Sequence, residues 1–126
     1  MSILWSYIVI LFFHFCGDFA LQSSWMAQGK SKSWQPLLAH VAVYTAMLAV
    51  AVSLVWLSGE IGADAIALWL AANSVLHLIA DFTTSRIGAV FWRAGRMRAF
   101  FLVLGVDQFI HQLCLAVTFI LIATSS

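Results

Sequence analysis

The sequence predicts an all-α integral membrane protein: an antiparallel up-down four-helix bundle with a polar, metal-type site in its cytoplasmic half. Of the 126 residues, 63% are hydrophobic and 9% are charged. Soluble domains carry about 25% charged residues, so a small soluble globule is excluded. Four apolar stretches each approach the roughly 20 residues that cross a bilayer as a helix. All four histidines lie inside these stretches, as do four of the five acids, of which Asp64 stands at the very start of the third stretch.

We expect the spans to form a single domain over residues 1–126. They cover residues 3–21, 36–57, 63–82 and 100–123. The first is interpreted as a retained span rather than a signal peptide, because no basic residue precedes Lys30 and because His14 and Asp18 interrupt the apolar run. The second starts at the only proline, Pro36, a residue common at helix starts. Between the third and fourth spans, residues 83–99 are expected to form a loop or an amphipathic stretch on the membrane surface.

The basic residues give the orientation. All six lie in the first and third connections: Lys30, Lys32, Arg86, Arg93, Arg96 and Arg98. The positive-inside rule places these connections in the cytoplasm and both termini on the other side of the inner membrane. Lys30 and Lys32 are interpreted as topology residues. The expected partner is the lipid bilayer, and the net charge of +1 gives no reason to expect nucleic-acid binding.

Apart from Asp64 at the start of the third span, seven histidines and aspartates lie within the spans: His14, Asp18, His40, His77, Asp81, Asp107 and His111. Six of them form pairs four residues apart, which share one face of a helix. With a rise of about 1.5 Å per residue, all seven fall in one layer near the cytoplasmic ends of the spans. An ionisable group in the bilayer interior costs several kcal/mol unless it is paired or ligating. The common depth therefore predicts a shared site.

We interpret this site as a dinuclear metal centre held by all seven residues. Imidazole and carboxylate donors suit zinc foremost, and also manganese or iron, and seven donors exceed one tetrahedral site. Two metals commonly activate water and clamp a phosphoryl group. The predicted function is a metal-dependent hydrolase of a phosphoester or lipid-linked substrate. We expect Asp18, Asp81 and Asp107 to be catalytic. Arg86 would hold the anionic part of the substrate, unless it only sets the membrane topology.

Further polar residues on the same helix faces are expected to orient the ligands or to link helices: Gln22, Tyr44, Asn73, Thr84, Ser85, Gln108 and Gln112. Two other functions stay open at this point. One is metal or proton transport, although the outer halves of the spans offer no polar path. The other is a non-catalytic interaction protein that metal stabilises. Haem ligation by two histidines is a further possibility, but it would not explain the three aspartates. The sequence does not determine the oligomeric state.

Several motifs resemble a small bacterial and phage membrane-protein family, domain-of-unknown-function family 3307. They are His14-Phe-Cys-Gly-Asp18 with Gln22 and Lys30, His40-Val-Ala-Val-Tyr44, Asn73-Ser-Val-Leu-His77 with Asp81, and Asp107-Gln108-Phe-Ile-His111. This resemblance covers nearly the whole chain and implies no assigned activity. The chain also bears a more distant resemblance to inner-membrane metal-dependent hydrolases, which rests on the His and Asp pairs on helices. Those hydrolases resemble the helical zinc phospholipase C and P1 nuclease group, which implies phosphoester hydrolysis.

Overall fold

The computed structural model describes residues 2–59 and 61–125, so the predicted connection residue Glu60 lies outside the described part. The described residues form helices and turns, without a strand among them. The helices are α1 (Ile3–Phe15), continued by a π-helical turn (Cys16–Ala20), α2 (Ser24–Gly29), α3 (Trp34–Leu57), α4 (Ala63–Arg93) and α5 (Met97–Ser125). The predicted all-α four-helix bundle is confirmed, with α2 as a short addition in the first connection.

Several boundaries differ from the predicted spans, among them the start of α5 at Met97 rather than at residue 100. Helix α3 begins before Pro36, because the Ser33 side chain accepts a hydrogen bond from the next turn and caps the helix. Helix α4 continues far beyond Phe82, so most of the stretch expected as a loop or surface segment extends this helix. It ends only where Gly95 adopts a φ of 71°, a left-handed conformation that favours glycine.

The bundle divides into an apolar half and a polar half. The buried apolar cluster includes Ile10, Leu48, Trp69, Leu115 and Phe119, which lie towards the start of α1 and α4 and the end of α3 and α5. The buried histidines and aspartates lie towards the opposite end, where the basic connections are. This division places the ionisable residues in a single layer.

The outer surface of the bundle is apolar. Large hydrophobic side chains are exposed on every long helix, for example Leu4 (67%), Leu57 (73%), Leu68 (69%) and Phe109 (65%). Extended apolar surface of this kind marks a face that contacts something other than water. Four helical segments are long and apolar enough to cross a membrane, namely Ile3–Ala20, Trp34–Leu57, Ala63–Arg93 and Met97–Ser125. These features suggest a membrane protein.

Candidate metal centre

Four buried side chains from three parts of the bundle converge on one point. We call Asp18, His40, His77 and Asp81 the four-donor cluster. Nε2 of His40 lies 3.0 Å from Nε2 of His77, 3.1 Å from Oδ1 of Asp18 and 3.0 Å from Oδ2 of Asp81. Nε2 of His77 lies 3.7 Å from the same Asp18 oxygen and 3.6 Å from the same Asp81 oxygen. One ring hydrogen on His40 cannot serve three partners at once, so hydrogen bonding alone does not account for this arrangement.

The spacing of the four-donor cluster fits a tetrahedral metal ion. Zinc bonds of about 2.0–2.2 Å place neighbouring donors about 3.3–3.6 Å apart. The five contacts within the cluster run from 3.0 to 3.7 Å, on either side of that spacing. The four donors therefore already stand at nearly the mutual distances that a bound ion requires.

A second group of donors lies beside the first. Asp18, Asp107 and His111 also offer one ligand atom each within 4.8 Å of one another. Nε2 of His111 lies 3.2 Å from Oδ1 of Asp107 and 3.0 Å from Oδ1 of Asp81. Asp81 thus turns one oxygen towards His40 and the other towards His111. A carboxylate with one oxygen on each group is the arrangement that bridges two metals in helical-bundle carboxylate sites.

The local backbone explains how Asp18 reaches this point. The chain widens into the π-helical turn, where the N–H of Leu21 donates to the carbonyl of Cys16, five residues back. Gly17 lets this turn lie directly against α3, since a Cβ there would stand 3.0 Å from the Cα of Tyr44. A π-helical turn in a long helix is frequently found at a functional site.

His14 is the one predicted ligand that lies outside both groups. Its Nδ1 is 3.2 Å from Oη of Tyr44, and its Nε2 is 3.2 Å from Oε1 of Gln108. Because that amide oxygen can only accept, Nε2 carries the hydrogen and Nδ1 accepts from the tyrosine hydroxyl. The Gln108 amide nitrogen in turn donates to Asp18 (2.7 Å) and to Asp107 (3.2 Å). In this structure His14 therefore supports the aspartates through Gln108.

The ring of His77 is oriented by stacking. It lies against Tyr44 with 3.6 Å between ring centroids and 9° between planes. The Nδ1 atoms of His40 and His77 have no hydrogen-bond partner within residues 2–59 and 61–125. Histidine ligands usually donate their second N–H to a carbonyl or carboxylate. Here packing against Tyr44 fixes the ring of His77 instead.

Two polar contacts connect the centre to the basic end of the bundle. Nζ of Lys30 lies 3.0 Å from Oδ2 of Asp81, and the Thr84 hydroxyl donates to Oδ1 of Asp107 (2.6 Å). Thr84 was among the residues expected to orient ligands. Lys30 was interpreted only as a topology residue, because it lies in a basic connection, and it is 51 residues from Asp81 in the chain. The sequence around Lys30, next to Gly29 in a basic connection, does not indicate a contact with Asp81.

Arg86 lies near this end without touching the donor groups. Its guanidinium stacks over the Phe82 ring at 3.7 Å, and Nη1 donates to the carbonyl oxygens of Phe82 (3.1 Å) and Lys30 (3.5 Å). These contacts tie the end of α2 to α4. The anion-holding role of Arg86 stays a prediction.

The charges of the centre favour cations. Asp18, Asp81 and Asp107 are each at most 3% exposed, and the Lys30 ammonium pairs with Asp81. Metal ligation requires neutral imidazoles, and in that state three carboxylates and one ammonium leave a net charge of −2 in a buried site. Uncompensated buried charge is costly unless it coordinates a metal or finds a partner. One divalent cation would balance this charge.

Comparison with known proteins gives a family without an assigned activity. The curated proteins and the solved structures contain no match to the chain. A family model described as "Protein of unknown function (DUF3307)" matches residues 7–126, which include all seven histidines and aspartates predicted to form the site. The chain therefore belongs to this family of unknown function.

Proposed function

We propose that the protein is a membrane-embedded, metal-dependent phosphoester hydrolase with two divalent cations in its site. The observation that carries the proposal is the convergence of His40, His77, Asp18 and Asp81 at the spacing of tetrahedral metal ligands. The four-donor cluster would hold the first ion. His111 and Asp107 would hold the second, with Asp18 or Asp81 contributing to both. Zinc suits this donor set best, and manganese and iron are the alternatives.

The chemistry follows from the position of the carboxylates. A dinuclear centre supplies an activated water and a clamp for the phosphoryl group. The water oxygen forms a new bond to phosphorus while the bond from phosphorus to the ester oxygen breaks. Asp107 would take the proton of the water and return it to the leaving alcohol, because it lines the cavity beside the centre and Asp18 and Asp81 do not. Asp18 and Asp81 would then serve as ligands rather than as bases.

The remaining charges favour an anionic substrate. Two divalent cations and Lys30, set against three aspartates, would leave the centre at +2, and transfer of a proton from the water to Asp107 would not change this sum. A phosphoester brings negative charge into a site of low dielectric, where such attraction is strong. Lys30 lies beside Asp81, and Arg86 lies beside the carbonyl of Lys30. Both cations are thus close enough to the mouth of the centre to steer a phosphate towards it.

The proposal also includes an orientation. All six basic residues lie in the first and third connections, and the positive-inside rule assigns those connections to the cytoplasm. The centre would then face the cytoplasmic leaflet of the inner membrane, with both termini on the other side. Labelling of single cysteines placed near either terminus with a membrane-impermeant thiol reagent tests this assignment.

The direct test is elemental analysis of the protein purified in detergent, with phosphate release from a chromogenic phosphoester measured on the same samples. We expect bound divalent metal in the wild type, loss of metal and activity in His77→Ala, and retained metal in His14→Gln at saturating metal. Both histidines are buried, so comparison of the two variants separates the loss of a metal ligand from the loss of a buried imidazole. Stoichiometric metal in His77→Ala would contradict the assignment.

Transport of metal or protons is the alternative outcome of this test. The buried cluster around Leu48, Trp69 and Leu115 fills the other half of the bundle with apolar side chains, so a polar path across the protein is not supported. Metal-dependent or proton-dependent flux in protein-containing liposomes, without hydrolysis, would replace the hydrolase proposal with transport.

A further inference from the structure

A cavity of about 730 Å³ leads from the basic end of the bundle to the metal centre. Its lining comes from the π-helical turn, from α2 and the residues that follow it, and from α4 and α5. Three of its apolar lining residues are among the exposed large hydrophobic side chains of the bundle: Phe19 (43%), Trp92 (57%) and Leu104 (39%). The cavity is therefore bordered by the same apolar surface that would face lipid.

The floor of the cavity is polar and belongs to the centre. Lys30, Thr84 and Asp107 all line it. Lys30 contacts Asp81 at 3.0 Å, and the hydroxyl of Thr84 donates to Asp107 at 2.6 Å. A molecule in the cavity thus meets the metal centre at its inner end and apolar walls elsewhere. This polarity gradient suits an amphiphile that enters with its polar group first.

The charged lining is predominantly positive. Its charged lining residues in the described part of the chain are three cations, Lys30, Lys32 and Arg93, and one acid, Asp107. Lysine and arginine at such a position attract phosphate, and arginine pairs with it bidentately. The polar group that the cavity favours is therefore an anion.

Two buried polar atoms at the cavity have no hydrogen-bond partner in the described residues. They are Oγ of Ser85 and Oε1 of Gln22, and both residues line the cavity. A buried polar atom without a partner is costly, so it indicates a missing ligand group or water. The serine hydroxyl can donate to a phosphate oxygen, and the amide oxygen can accept from a hydroxyl of the ligand.

We propose that this cavity binds a membrane lipid that carries a phosphate monoester, and that this lipid phosphate is the substrate of the centre. The phosphate would lie among Lys30, Ser85 and Asp107, and the first part of the hydrocarbon chain against Phe100 and Val103. A volume of about 730 Å³ lies within the range of ligand-binding pockets. It suits a head group and the start of a chain, and the rest of the chain would stay in the bilayer. The inference rests on the proposed function, because the bound cations would offset the aspartates next to which the phosphate would lie.

Native mass spectrometry of the protein as purified, in uncharged detergent, tests the binding step. The probes are dioleoyl phosphatidate and dioleoyl phosphatidylcholine at equal mole fraction, with inorganic phosphate as a competitor. The test variant is Gly88→Leu, because a Cβ there would lie 3.6 Å from the Phe100 ring and its side chain would fill the cavity. The matched control is Gly105→Leu on α5, where a Cβ would meet nothing within 4 Å.

We expect the wild type and Gly105→Leu to prefer phosphatidate over phosphatidylcholine by about tenfold, and Gly88→Leu to lose this preference. Arg93→Gln should weaken phosphatidate binding without affecting phosphatidylcholine. Equal binding of the two lipids by the wild type would overturn the inference. So would equal loss in both glycine variants, or displacement of the lipid by an equal concentration of inorganic phosphate.

Turnover separates this inference from the proposed function. If metal-loaded protein binds phosphatidate selectively but releases no phosphate from it or from a chromogenic phosphoester, the hydrolase proposal fails, and the assignment of the cavity as a lipid-phosphate binding site stands. If the protein hydrolyses the chromogenic ester and binds both lipids equally, the hydrolase proposal stands and the lipid-phosphate inference fails.

Discussion

Substitution of Gly17 by alanine tests whether the contact between the π-helical turn and α3 sets the geometry of the metal centre. The added Cβ would stand 3.0 Å from the Cα of Tyr44 and 3.3 Å from the Cβ of Met47, whereas ordinary contacts begin at 3.4 Å. Relief requires the turn to move away from α3 by about 0.4 Å, which exceeds the tolerance of about 0.2 Å expected for metal-ligand distances. Asp18 follows in the chain and moves with the turn.

The expected effect on metal affinity is a loss of about 10- to 100-fold, the range found when groups that orient ligands are altered. Overpacking destabilises by about 1–3 kcal/mol, while alanine gains at most about 1 kcal/mol over glycine from helix propensity. Gly105→Ala isolates the propensity gain, since its Cβ meets nothing within 4 Å. Gly17→Ala should therefore be the less stable of the two.

Metal affinity is measured by competition with a chromophoric chelator, and stability by thermal unfolding in the same detergent. If Gly17→Ala binds metal as tightly as Gly105→Ala, the close approach of the turn to α3 does not position Asp18. The π-helical turn would then be irrelevant to the centre.

Three further substitutions probe other parts of the bundle. Lys30→Met removes the ammonium beside Asp81, so we expect metal affinity to rise by about tenfold in the competition assay; a fall would mean that the ammonium supports the loaded centre. Tyr44→Phe removes the hydroxyl 3.2 Å from His14 but keeps the ring, so the free energy of unfolding should fall by about 0.5–1.5 kcal/mol while metal stoichiometry stays the same. Leu115→Ala opens a cavity in the apolar half, where the side chain is fully buried. It should lower the free energy of unfolding by about 2–5 kcal/mol with normal metal content in the folded fraction, and metal loss there would show that the two halves are coupled.

Helix number and the common depth of the ionisable groups could be predicted because they depend on local quantities. A span needs only length and apolar composition, and the rise per residue converts position into depth. The spacing of four between His77 and Asp81, and between Asp107 and His111, correctly brought each pair onto one face, since both lie within regular α-helix.

The rest depended on contacts that no local rule supplies. The spacing of His14 and Asp18 assumed an α-helix, but the chain widens between them, so the histidine contacts Gln108 and the aspartate reaches His40. The contact of Lys30 with Asp81 joins residues that are distant in the chain. The extension of α4 to Arg93 was missed because hydropathy falls beyond Phe82, although the helix continues.

The pairing of acids with histidines bears on how the protein is inserted into a membrane. Asp18 meets His40 within the helical hairpin of α1 and α3, and Asp81 meets His111 within the hairpin of α4 and α5. Moving a lone aspartate to the middle of a bilayer costs about 2.5–3.5 kcal/mol on insertion scales. Each hairpin carries a histidine that contacts its own buried acid or acids, since His111 contacts both Asp81 and Asp107. We therefore expect biogenesis to proceed by two hairpins that enter as units and then dock. Capture of the ions would be the last step, made when the second hairpin completes the donor set begun by the first.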